Sequence, residues 1–89
     1  MLAETSKAPL VTVEWVDITG SHTEPGLTRR WTDGRLLSVD YESEGVTCVV
    51  LGNTWDEGGW SDYSTFPAAC VLNIDDLRET MEGEHGQAD

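Results

Sequence analysis

Residues 34–53 read GRLLSVDYESEGVTCVVLGN, and the reading of this stretch decides the fold. Leu37, Val39 and Tyr41 fall on one side of a two-residue period, with Ser38, Asp40 and Glu42 on the other. That is the alternation of a half-buried strand. Glu44-Gly45 supplies a turn. The segment Val46–Asn53, VTCVVLGN, is then the most β-prone and most continuously apolar part of the chain. Such a run belongs to a central strand covered on both faces.

Working outward, Leu10–Ile18 (LVTVEWVDI) alternates in the same way, with Val11, Val13 and Trp15 on one face and Thr12 and Glu14 on the other. The following TGSHTEPGL is rich in turn formers and reads as a long loop. LTRRW is followed by Thr32-Asp33-Gly34, and Asp-Gly is a strong short hairpin signal, so a turn is predicted there. Trp15 and Trp31 are assigned to the core. Downstream, Asn53–Asp62 (NTWDEGGWSD) reads as a loop and Asp62–Phe66 as a short strand. Pro67, which cannot donate to a ladder, ends that strand, and Ala68-Ala69-Cys70 makes a tight helical turn. Val71–Ile74 is the last strand. Asp75-Asp76 is placed to cap one or two helical turns through Met81.

The expected organisation is a flexible leader at 1–9, one β-barrel domain at 10–77 and a frayed acidic tail at 78–89. Five or six short antiparallel strands with turn signals every eight to twelve residues make the fold all-β. Closure into a small barrel is expected because it removes exposed edges.

Composition narrows the function. The chain has 89 residues, with 17 Asp and Glu against 5 Lys and Arg, a formal charge of −12. A direct nucleic-acid or anionic-membrane surface needs a basic footprint and is excluded as an expectation. No run approaches the ~18 apolar residues of a spanning helix, and the first ten residues lack a signal-peptide core, which predicts a cytoplasmic protein. Cys48 and Cys70 sit among Val and Ala and read as buried free thiols. His22 and His85 show no ligand spacing, so neither a metal nor a cofactor is expected. No nucleophile elbow, zincin motif or glycine-rich phosphate loop is present, and the chain is read as non-enzymatic. Asn53, Asp56, Glu57 and Asp62 offer oxygen ligands, but not at the spacing of a calcium loop, and read as a solvated acidic segment.

Two features point to partner binding. Between Leu36 and Leu77 there is no basic residue, while Asp40, Glu42, Glu44, Asp56, Glu57, Asp62, Asp75 and Asp76 all fall there. The plain reading is solubility through self-repulsion. The functional reading is a carboxylate surface that steers encounter with a basic protein, in its strongest form a mimic of DNA phosphates. The second feature is Trp55, Trp60, Tyr63 and Phe66 within twelve residues, interleaved with Asp56, Glu57 and Asp62. One or two of these rings could simply plug the barrel. Aromatics rimmed by charge are also the composition of an interaction hot spot. The candidate partner-binding set is therefore Trp55, Asp56, Glu57, Trp60, Asp62 and Tyr63, with Asp40, Glu42 and Glu44.

The final third, an aromatic segment followed by STFPAACVLNI, resembles the end of a Src-homology-3-like barrel, where a strand meets a proline, makes one 3₁₀ turn and returns as the closing strand. The span Val11–Leu77 also resembles small acidic proteins encoded by bacteriophages. The likeness rests on Val11, Val13, Trp15 and Asp17, on Gly34–Val39, on Val49–Leu51, on Phe66-Pro67, on Cys70-Val71 and on Ile74. It implies a phage origin and action in the host bacterial cytoplasm, and it carries over no catalytic residue. The expectation is an accessory protein that binds and modulates a basic host protein, such as a defence or DNA-binding factor. The alternatives are a sponge for a nucleotide signal, stacking a base on Trp55, Trp60 or Tyr63 with Arg29, Arg30 or Arg35 on phosphate, and a minor virion component.

Overall fold

The computed structural model describes residues 7–77. They form five strands and one 3₁₀ turn: β1 (Leu10–Ile18), β2 (Leu27–Ser43), β3 (Val46–Asp56), β4 (Gly59–Pro67), the turn η1 (Ala68–Cys70) and β5 (Val71–Asp76). All belong to one antiparallel sheet in the order β4-β3-β2-β1-β5. Apart from that turn the described residues are all-β, as the alternating runs require. The helical turn and frayed tail expected beyond Leu77 lie outside the described residues, whereas Asp75 and Asp76 belong to β5, paired with Thr12 and Val11.

The sheet coils strongly. β1 and β3 are separated by β2, yet Val11 and Val13 share one buried cluster with Val49, Leu51 and Phe66. Trp15, Leu36, Val71 and Ile74 pack against it, and the Trp15 and Phe66 rings lie 5.0 Å apart. Trp15 is thus a core residue, its indole Nε1–H donating to Thr32 Oγ1 at 2.9 Å. The bend is taken up in β2, whose register with β3 shifts twice, between Leu36 and Ser38 and again between Ser38 and Tyr41. Bulges of this kind add twist and redirect side chains. They break the simple alternation expected for Leu37, Val39 and Tyr41: Leu37 is buried, and the other two are exposed.

β3 is covered on both faces, as its composition demands. Val49 and Leu51 face the main cluster, while Cys48 and Val50 join Ala8 and Leu37 in a second one, with Trp60 packed on it. Ala8, inside the segment expected to be a loose leader, is 3% exposed. Its carbonyl accepts from Arg35 Nη1, and the Pro9 carbonyl accepts from the Leu36 N–H at 2.8 Å. The ordered unit therefore begins before Leu10. Both cysteines are free; Cys48 is buried and Cys70 half-buried.

The hairpin predicted at Asp33-Gly34 does not exist. β2 runs straight through it, and all nine residues of β1 pair with Leu27–Arg35. Gly34 is there for close approach: a Cβ on it would lie 2.9 Å from Leu51 Cβ and 3.0 Å from Asn53 Oδ1. Because β2 is continuous, its side chains alternate without a break there. Thr32 and Gly34 then face the core, and Trp31 faces water at 62% exposure. The assignment of Trp31 to the core is accordingly corrected.

Candidate functional site

The segment expected to be an aromatic loop is a regular hairpin. β3 continues to Asp56, Glu57 and Gly58 make the turn, and β4 starts at Gly59. Both turn residues have positive φ, 42° and 87°, the type I′ pattern whose twist suits two-residue hairpins. Glu44 and Gly45, at 53° and 75°, make the same turn at the opposite end of β3.

Trp55 and Trp60 face each other across the ladder, ring centroids 5.2 Å apart and planes at 69°. An edge-to-face pair of this kind contributes about 0.5–1.5 kcal/mol beyond its buried area. Both indoles are half-buried, but their surroundings differ. Trp60 lies over Gly52 and packs against the second cluster: a Cβ on Gly52 would meet Trp60 Cε3 and Leu37 Cδ1 at 2.8 Å. It is both the floor of the aromatic patch and a lid on the core.

β4 carries one irregularity, Asp62, with φ of 55°. Asn53 Nδ2 donates to the Asp62 carbonyl at 2.5 Å and to Ser64 Oγ at 3.0 Å, holding that conformation. Asn53 is therefore spent on backbone geometry. Tyr63 Oη donates to the Trp60 carbonyl at 2.8 Å, and its ring is 49% exposed. Around this patch stand Asp56, Glu57 and Asp62, all exposed. Among the described residues none of the three has a basic partner in an ion pair.

The structure thus unites Trp55, Asp56, Glu57, Trp60, Asp62 and Tyr63 at one hairpin end. It does not bring Asp40, Glu42 and Glu44 to them. Those lie at or beside the β2–β3 turn, where Ser38 Oγ donates to Asp40 and Thr47 Oγ1 to Glu42. The 11 residues of β3 separate the two ends, roughly 33 Å at the rise of a strand. The carboxylates form two distinct acidic poles.

Among the described residues, no three His, Cys, Asp or Glu side chains are grouped to hold a metal ion. No described helix is long and apolar enough to cross a membrane. The arginines named for a nucleotide phosphate are engaged elsewhere: Arg29 with Glu14 at 3.2 Å, Arg30 with Asp17 at 2.8 Å, and Arg35 on the Ala8 carbonyl. Sequence reasoning missed the exposed Trp31. The signal was available in RRWTDGR, where Trp31 shares its parity with Arg29, Asp33 and Arg35, all residues of a solvated face.

Comparison with protein-family models, with curated proteins and with solved structures returns no match.

Proposed function

We propose that this chain is a non-enzymatic binding protein that docks the β3–β4 hairpin end onto a basic surface of another protein. The observation that carries the reading is the placement of Trp55 and Tyr63 beside Asp56, Glu57 and Asp62 at one end of the sheet. A half-buried Trp55 and an exposed Tyr63, beside carboxylates that have no basic partner among the described residues, are matched to arginine and lysine side chains, which stack on the rings and pair with the rim. The charge of −12 adds long-range steering toward such a partner.

The strand order and the single 3₁₀ turn before β5 support reading the sheet as a Src-homology-3-like barrel. On the resemblance to small phage proteins, the partner is a host defence or DNA-binding factor met in the bacterial cytoplasm. The nucleotide-sponge reading draws no support from Arg29 and Arg30, which are neutralised on the β1–β2 ladder.

The test is capture from bacterial lysate with the wild-type chain and with Asp56→Lys/Glu57→Lys. The wild type is expected to retain a specific basic protein, more strongly at low than at physiological salt, and the variant to lose it. Capture kinetics of the purified pair should show association at least about tenfold slower for the variant, with a flatter salt dependence. Recovery of nothing above background at both salts, or equal recovery by the variant, contradicts the proposal.

A further inference from the structure

The outer face of the β1–β2 ladder is unlike the rest of the surface. Ile18 pairs with Leu27, Val16 with Arg29 and Glu14 with Trp31, so these six side chains share the face turned away from the main cluster. Ile18, Leu27 and Trp31 are 79%, 69% and 62% exposed, the largest exposures of any big hydrophobic residue described. Together they put on the order of 400 Å² of apolar surface in water, the size at which a patch on a small protein has an occupant.

Charge indicates which occupant. The two hairpin poles are acidic, whereas here Arg29 neutralises Glu14 on this face and Arg30 neutralises Asp17 on the other side of the ladder. On a chain of charge −12, the stretch of this face from Glu14 to Ile18 holds its one carboxylate in an ion pair, and Asp33, accepting from Thr12 Oγ1, stands beyond Trp31 at its far end, so a second molecule of the same charge meets little repulsion there. The face is also its own complement. A two-fold axis along the ladder, between β1 and β2, sets Ile18 of each copy on Leu27 of the other. The same axis brings each Arg29 within reach of the other copy's Glu14. That reciprocity is the requirement of an isologous interface. We propose that two copies of the chain pack through this face as a two-fold dimer, sheet against sheet. The contact buries roughly 1,000 Å² in total, the low end for a specific complex, so the dimer is reversible and micromolar.

Sedimentation of the full chain from about 5 to 500 μM, at 50 and 500 mM salt, reads this directly. A monomer–dimer equilibrium is expected, tightening about three- to tenfold at the higher salt, because salt screens the repulsion of two acidic bodies around an apolar contact. Leu27→Ser and Trp31→Ser, both at exposed positions, should each weaken the dimer at least tenfold while leaving the melting temperature within a few degrees. A monomer across the whole range, a dimer unaffected by both substitutions, or one that weakens with salt overturns the proposal. The hairpin reading stands or falls separately, since its carboxylate contacts weaken with salt.

Discussion

Trp60→Ala is expected to cost about 2–4 kcal/mol of stability, a fall in melting temperature of roughly 10–25 °C for a domain of this size. The cause is the position of the ring over Gly52 and against the cluster of Ala8, Leu37, Cys48 and Val50. Trp55→Ala loses the edge-to-face contact and some half-buried area, about 1–2 kcal/mol. The two tryptophans are neighbours in one hairpin but not equivalent. A loss of binding in a Trp55/Trp60 double substitution would mix a damaged core with a damaged contact surface. Trp55→Ala and the Asp56/Glu57 reversals probe the surface. Thermal melts of the two single variants check the difference: equal, small shifts would show that Trp60 does not seal the second cluster.

Leu51→Ala should be the more damaging change, at about 3–5 kcal/mol. Leu51 is fully buried between Gly34 on β2 and the cluster of Val11, Val13, Val49 and Phe66. Truncation leaves a void where strands from both halves of the coiled sheet meet, and close packing leaves little room to collapse into it. A domain of this length holds only about 4–13 kcal/mol in all. The variant is therefore expected to be substantially unfolded near 37 °C, by circular dichroism and by loss of chemical-shift dispersion. Leu51→Met keeps the volume and should cost less than about 1.5 kcal/mol. Equal effects from the two would remove Leu51 from the centre of the packing.

How much of this was legible in the sequence depends on the range of the interaction involved. Alternation is local, so LVTVEWVDI and VTCVVLGN disclosed β1 and the doubly covered β3. The Pro67 stop and the Ala68–Cys70 turn were also local and readable. Asp33-Gly34 misled because glycine serves two purposes, positive φ and close approach. Only the packing of Leu51 and Asn53 on Gly34 tells which applies. Trp31, opposite Glu14 on the continuous strand, takes the solvent face and not the core.

The aromatic hairpin was hidden by composition. Asp56, Gly58 and Gly59 are all turn-forming residues, yet the turn itself is Glu57-Gly58. The clue was symmetry: Trp55 and Trp60 are equidistant from the Glu57-Gly58 pair, the spacing that sets two side chains opposite each other across a two-residue turn. For the candidate site, Trp55 to Tyr63 are close in sequence and stay together on one hairpin, whereas Asp40, Glu42 and Glu44 stand toward the other end of β3, since one charge run along the chain can occupy both ends of a strand. The residues behind the phage resemblance include Val11, Val13, Trp15, Val49, Leu51, Phe66, Val71 and Ile74, most of the main cluster and its surroundings. That likeness is one of packing pattern, which speaks to the fold more than to the partner.

The central claim is that cationic groups dock at the Trp55 end of the sheet and not simply wherever carboxylates stand. Titrating the ¹⁵N-labelled chain with an arginine-rich peptide tests it most directly. The expected result is shifts concentrated on the Trp55 indole N–H and the amides of Asp56–Tyr63, with Ser43–Val46 nearly still. Shifts of similar size at both acidic poles, or largest around Glu44, would contradict it.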